Sequence, residues 1–343
     1  MEAIDDAMDC VWTVMHYTGT ISDEWWSLLP QLLKSVVGGP DEIEGGFGYE
    51  NFGVLQNYFR NIFKLGQREI FLRKIGDLNY FEITLNSILK VIEISKTSYA
   101  DSSGAIVCKL LCAMLENLRG LIDEYLPHII KVIVDEISSE ELTQDYLNKL
   151  ITTIYSSFYY NPLLTFKILD ELNAVNSTLE ACYGNMDMFS DLEEIWWVIY
   201  GTCSIFLLSA DEMHDSLKAR MPNIMKHLVI LIDKFTKTFI KQKERKQKEK
   251  DEGEFDDYYD MFGEGEDDEY DDIFTGEYVP SQCNNDLYKG PFQQLLAPLY
   301  FKQTLQQISE SNKDVHESLI PLISTDEQNT LESAFEKLEA IEN

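Results

Sequence analysis

Leu126-Pro127-His128-Ile129-Ile130-Lys131 decides the fold, because the chain repeats it. Leu29-Pro30-Gln31-Leu32-Leu33-Lys34 comes before it and Met221-Pro222-Asn223-Ile224-Met225-Lys226 after it, with prolines 97 and 95 residues apart. A shorter copy, Ile320-Pro321-Leu322-Ile323, sits 99 residues further on and lacks the lysine. Proline is tolerated in the first turn of a helix, where the N–H groups have no intrahelical acceptor. Each copy therefore reads as a helix start. One apolar-Pro-apolar start means little in a helical protein, but three at similar spacing with a shared lysine indicate repetition. Each interval accommodates about four helices, or two helix pairs of the roughly 40–47-residue kind stacked in HEAT and armadillo arrays. The expected fold class is all-α, a HEAT-repeat α-solenoid.

Helical periodicity fills most of the remaining chain. Ile4, Met8, Val11, Trp12 and Met15 keep helical spacing from the first residues, so the chain is expected to continue a larger array. Ser22 is placed to cap the helix that begins Asp23-Glu24-Trp25-Trp26, and Gly38, Gly39 and Pro40 stop it. Further helices are expected over residues 50–65, 80–95, 103–119, 121–137, 140–159 and 162–172. A turn region around 176–185 precedes helices over 190–208 and 210–250. Three more, at 292–310, 314–323 and 326–341, are polar enough to form the cap that an array needs at its open end. No stretch of comparable length alternates apolar and polar residues as an exposed strand would. Interior helices of a solenoid bury more than one face, so Trp25-Trp26 and Trp196-Trp197 are expected in the core.

The chain has 343 residues and a formal net charge of −32. That length exceeds one ordinary globular core and requires two or three domains or an extended array. A surface this negative repels phosphate backbones and anionic lipid headgroups, which disfavours direct nucleic-acid and membrane partners and favours basic proteins. Six cysteines without a CxxC make neither a disulfide framework nor a zinc pattern, and Cys108 and Cys112 read as small buried hydrophobes. The acidic N-terminus has no signal-peptide character, and the most apolar run, 195–208, is too short to cross a bilayer.

Charge is concentrated in residues 241–272, where KQKERKQKEK passes directly into DEGEFDDYYDMFGEGEDDEYDD. Residues 251–272 carry thirteen carboxylates and no Lys or Arg. Purely solvating acidic tracts are poor in aromatics, whereas this one interleaves them. The candidate cargo-binding residues, for a basic protein, are Glu254, Phe255, Asp256, Asp257, Tyr258, Tyr259, Asp260, Phe262, Glu264, Glu266, Asp267, Asp268, Glu269, Tyr270, Asp271 and Asp272. Carboxylates would attract the partner over distance, and the rings would meet its Arg and Lys side chains at contact. The tract does not fit a calcium loop: counted from Asp267, the position that needs Gly is Asp272. The lysines of 241–250 read best as a continuation of the preceding helix, since no breaker follows 223–232 and Glu244 and Lys248 form an i,i+4 pair. A nuclear-localisation cluster is the other reading. The expected organisation is an array over 1–240, a basic extension and acidic loop over 241–286, and capping helices over 287–343.

No nucleophile elbow, P-loop, HExxH or dinucleotide fingerprint occurs, and the five histidines are scattered. No enzyme activity, cofactor or metal is expected.

Three stretches carry a family resemblance: SDEWWSLLPQLLKSV from Ser22, FYYNPLLTFKILDEL from Phe158, and the acidic tract followed by FKQTLQQI. They resemble the importin-β (karyopherin) superfamily, and among its members the C-terminal part of the importin seven/eight branch. Tyr159-Tyr160-Asn161-Pro162 upstream of an acidic tract is the most specific piece. The resemblance implies a HEAT-repeat nuclear import receptor that shuttles between cytoplasm and nucleus through nucleoporins. It would carry ribosomal proteins and histones and release them to the GTP-bound small GTPase Ran. Such receptors are longer, and their main Ran surface lies in N-terminal repeats that this chain does not contain. An acidic chaperone or scaffold for basic proteins, without transport, is the alternative from another class.

Overall fold

The computed structural model describes residues 18, 21–37, 68–98, 101–139, 142–184, 186–252 and 295–342. The expected helices at 1–15 and 50–65 lie outside the described residues. The described residues form two compact units, the first from those up to 181 and the second from those at 182–252 and 295–342. The chain is all-α, with the packing of a helical-repeat array. A two-residue hairpin, β1 (Lys74–Ile75) and β2 (Leu78–Asn79), is the sole strand pairing among the described residues. It turns through Gly76 at φ +65°, a conformation that glycine adopts without strain. No described helix is long and apolar enough to cross a membrane.

In the first unit, α1 (Asp23–Val37) starts as expected from Ser22, whose Oγ accepts from the Trp25 N–H at 3.3 Å. The short helix α2 (Arg68–Phe71) and the hairpin lead into α3 (Tyr80–Ser98). Asn79 and Glu82 cap α3 reciprocally: each side chain accepts from the other's backbone N–H at 2.7 Å. Next come α4 (Asp101–Asn117), α5 (Leu126–Ile137), α6 (Gln144–Tyr160) and α7 (Pro162–Glu171). α3 packs on α4 and α5 on α6, while α5 also lies against α3 and α7, and α6 against α4. Each helix thus meets its partner in the pair and its counterpart in the adjacent pair, the arrangement by which a repeat array extends its core. Trp26, wholly buried, meets the ring of Tyr80 at 4.9 Å. Cys108 and Cys112 are buried as expected, beside Thr153.

Several expected boundaries are corrected. Pro30 lies inside α1, so the first copy of the repeated motif is not a helix start. Ser22 sets the start two turns upstream, and burial of Trp26, Leu29 and Leu33 outweighs the backbone hydrogen bond that Pro30 cannot make. α5 begins at Leu126, not at 121, because Gly120 at φ +75° and the turn after it break the pattern, with Pro127 in the first turn. Residues 176–184 are not a turn region. They belong to α8 (Val175–Gly184), whose Val175, Leu179 and Cys182 are buried at helical spacing. Between Leu126 and Met221 the chain forms five helices of ten residues or more and one of four, where about four were expected.

The second unit contains α9 (Leu192–Phe206), the four-residue α10 (Asp215–Lys218), α11 (Met221–Glu252), α12 (Ala297–Ser311), α13 (Lys313–Leu319) and α14 (Thr325–Glu342). Asp191 caps α9, accepting from the Glu193 N–H at 2.9 Å. The single helix expected over 210–250 is divided, because Pro222 cannot donate to the preceding turn and so begins a new helix. Its motif matches that of α5. The fourth motif copy is a 3-10 turn, Ile320–Leu322, with Pro321 at its start. α12 stacks on α9 and α14 on α11, so these helices again form successive pairs. Trp197 is buried, while Trp196 is half-buried against Phe235.

Candidate functional site

Tyr159-Tyr160-Asn161-Pro162 forms the corner between α6 and α7. Asn161 has extended backbone angles and caps α7, its Oδ1 accepting from the Leu164 N–H at 3.1 Å, and Pro162 occupies the first helical turn. The Tyr160 hydroxyl accepts from the Ile122 N–H at 3.0 Å and donates to Asp123 Oδ1 at 2.5 Å. Arg119 Nε donates to the Tyr160 carbonyl at 3.1 Å, and its guanidinium lies 4.8 Å over the Tyr159 ring. Burial pushes the Tyr160 phenol well above its ordinary range, and its bond to Asp123 pushes further the same way. Tyr125 is raised more modestly by burial and by donating to Glu82. Tyr160 and Arg119 lock the turn after α4 onto the end of α6. The motif is a structural clamp.

The acidic tract must be approached from its two ends. α11 is buried against its unit through Ile224, Leu228, Leu231, Ile232, Phe235 and Thr236. Past Thr236 the helix continues without a buried residue among those described, and Lys241, Lys243, Glu244, Arg245 and Gln247 are exposed. Continuation of the helix through the basic segment is thus observed. At a rise of about 1.5 Å per residue, the part beyond Thr236 extends about 24 Å. Its root is held by aromatic stacking of Phe239 on Phe235 at 5.7 Å and by the Lys243 ammonium 5.5 Å over Phe239. Lys234 donates to the Phe189 carbonyl at 2.6 Å. The exposed pair Lys237–Asp233 at 2.6 Å contributes little, because water screens it.

At the other end, the chain joins the second unit at Leu295. The Tyr200 hydroxyl donates to the Leu295 carbonyl at 2.8 Å, and the Tyr200 and Tyr300 rings stack at 4.1 Å. Leu296, Ala297 and Leu299 are buried directly afterwards. Both ends of the connection from α11 to α12 are therefore anchored on one unit. Sequence reasoning missed the Tyr200 anchor, because its two partners are 95 residues apart and nothing local marks them. The candidate residues Glu254 to Asp272 themselves lie outside the described residues. Among the described residues, no group of three or more His, Cys, Asp or Glu could hold a metal ion. The buried thiol of Cys203 is pushed up to about 12 by burial, which makes it inert.

Comparison with known proteins adds one finding. The chain is similar to a probable importin-7 homolog of Dictyostelium discoideum, 23% identical over 179 residues. The likeness is to an importin. It covers 51% of this chain and 16% of that relative, so the chain spans a small part of the curated protein that it matches. No protein-family model and no solved structure matches the chain.

Proposed function

We propose that this chain is the cargo-engaging, C-terminal portion of a nuclear import receptor of the importin-β type. It carries basic proteins such as ribosomal proteins and histones between cytoplasm and nucleus, past nucleoporins, and gives them up to GTP-bound Ran. One observation carries the reading: thirteen carboxylates interleaved with aromatics lie between two anchored helices of an all-helical unit. The likeness to an importin supports the transport role. The capture surface is the set from Glu254 to Asp272, within a basic extension and acidic loop at 241–286 that separates the array at 1–240 from capping helices at 287–343. Long-range attraction brings the basic partner in, and Phe255, Tyr258, Tyr259, Phe262 and Tyr270 supply faces for its guanidinium and ammonium groups.

An acidic chaperone that shields basic proteins without transporting them would use the same tract. Ran separates the two. Linker histone is titrated into the longest form of the protein that the gene encodes, with and without GTP-loaded Ran. A transport receptor loses histone affinity when Ran is added. Equal affinity in both conditions assigns the protein to the chaperone reading and overturns transport.

A further inference from the structure

The part of α11 beyond Thr236 is an anomaly in a chain of net charge −32. Residues 241–250 carry six cations and two anions, and the described ones among them are exposed or half-buried. A helix that is polar all round cannot rest on an apolar face and depends on its charge pairs. Those pairs nearly cancel here. At i,i+4 spacing the sequence holds two opposite-charge pairs, 244/248 and 245/249, and two like-charge pairs, 241/245 and 246/250. The arm therefore gains little from its own charge pairs and is held chiefly by continuity with the anchored part of α11. An anionic partner on its flank would supply what the sequence lacks.

The chain itself delivers that partner. It leaves the far end of α11 at Glu252 and must come back to Leu295, which Tyr200 holds at the unit. The connection therefore has to recover the length of the projecting helix, about 24 Å, in the opposite direction. It has 42 residues for this, enough to span at most about 140 Å fully extended, so its reach is ample. Seven of its carboxylates fall between Glu264 and Asp272, partway along the return. A nucleic acid is the other polyanion that could pair with a basic helix, but the remainder of the chain repels it.

We infer that the exposed basic arm of α11, with Lys241 and Arg245 on one side and Lys243 on the other, is the docking surface for the chain's own acidic run 264–272. The docking stands apart from the proposed function. Its consequence rests on that reading: a basic protein must take the carboxylates from the arm, so the arm competes with cargo and sharpens selectivity for the most basic ligands.

Hydrogen exchange read by mass spectrometry on the intact chain, without any basic protein present, tests the docking. Amides of residues 241–252 are followed in the native chain and in one whose seven carboxylates from Glu264 to Asp272 are replaced by their amides. Docking predicts that the replacement lowers arm protection by about tenfold. It also predicts that 0.5 M salt lowers protection in the native chain, because screening weakens attraction between arm and run by on the order of that same factor. An undocked arm responds little to salt, since screening weakens its attracting and repelling pairs alike. Protection unchanged by the replacement, or not lowered by salt, overturns the docking. Linker histone is added afterwards. Loss of arm protection supports competition, whereas unchanged protection with histone bound rejects competition and leaves docking intact.

Discussion

Replacing Tyr160 with Phe removes one oxygen and two hydrogen bonds from the α6–α7 corner. The Ile122 N–H, bonded at 3.0 Å in a buried position, loses its acceptor. An unpaired buried donor costs about 1–3 kcal/mol. The exposed Asp123 carboxylate, bonded at 2.5 Å, can return to water, so its loss adds little. The ring itself stays, and with it the packing and the Arg119 contact to the carbonyl. The net expectation is about 2 kcal/mol, which for a unit of this size lowers the melting temperature by about 4–8 °C. Thermal denaturation followed by circular dichroism at pH 7.5 measures it. Asp123→Asn is the control, because the amide oxygen still accepts from the hydroxyl. It should cost less than half as much. Alkaline pH provides a second readout with a definite sign. The folded phenol is held above its ordinary value, so the native state keeps the proton longer than the unfolded chain does. The stability this confers is complete below the unfolded value, near 10, and is lost as pH rises through the folded one. Tyr160→Phe should flatten that decline. A melting shift under about 1 °C, or equal losses from both variants, would refute the clamp.

Three further outcomes test the remaining geometry. Gly104 sits where a Cβ would fall 2.5 Å from the Tyr146 ring, so Gly104→Ala should destabilise by about 1 kcal/mol despite the better helix propensity of alanine, read by urea denaturation. Ser324 and Glu327 cap α14 reciprocally, with the Ser324 N–H bonded to Glu327 Oε2 at 2.8 Å, and Ser324→Ala should cost about 1 kcal/mol. Ser324 holds the Glu327 carboxyl below its ordinary range, so that stability is present above the unfolded value and fades as pH falls through the folded one. A Ser324→Ala melting curve at pH 3 should therefore lie nearer to native than at pH 7. Tyr200→Phe removes the 2.8 Å anchor on Leu295 and should raise the rate of limited proteolysis just before α12 several-fold, with the fold retained by circular dichroism.

Much of this was legible from local chemistry. The repeated motif marks Pro127 and Pro222 as helix starts, although helical spacing alone runs those helices from 121 and 210; the cap at Ser22 follows from its position before two acidic residues, and a break between α6 and α7 from one pattern ending at 159 and the next starting at 162. What escaped was decided by tertiary burial. Asn176, Ser177 and Thr178 have the composition of a turn, but Leu179 and Cys182 need a buried helical face, and that overrides it. Pro30 looked equivalent to Pro127 because the local sequence is the same, while the start of α1 is set eight residues earlier by Ser22. His214 caps α10 through Nδ1, at 3.2 Å from the Ser216 N–H, a role that residue type rarely signals. At the candidate site, the sign and density of charge and the basic helix before it were plain in the sequence. The Tyr200–Leu295 anchor depends on a contact that only folding creates.

The claim that matters most is that the tract from Glu254 to Asp272 captures basic proteins. Its most direct test is an equilibrium titration of linker histone into the native chain and into a chain with every Asp and Glu of 254–272 replaced by its amide, at 50 and 200 mM salt. Capture by the tract predicts that the replacement weakens binding by on the order of a hundredfold at the lower salt and removes most of the salt dependence. Equal affinity in the two chains, with the same slope against salt, would contradict it.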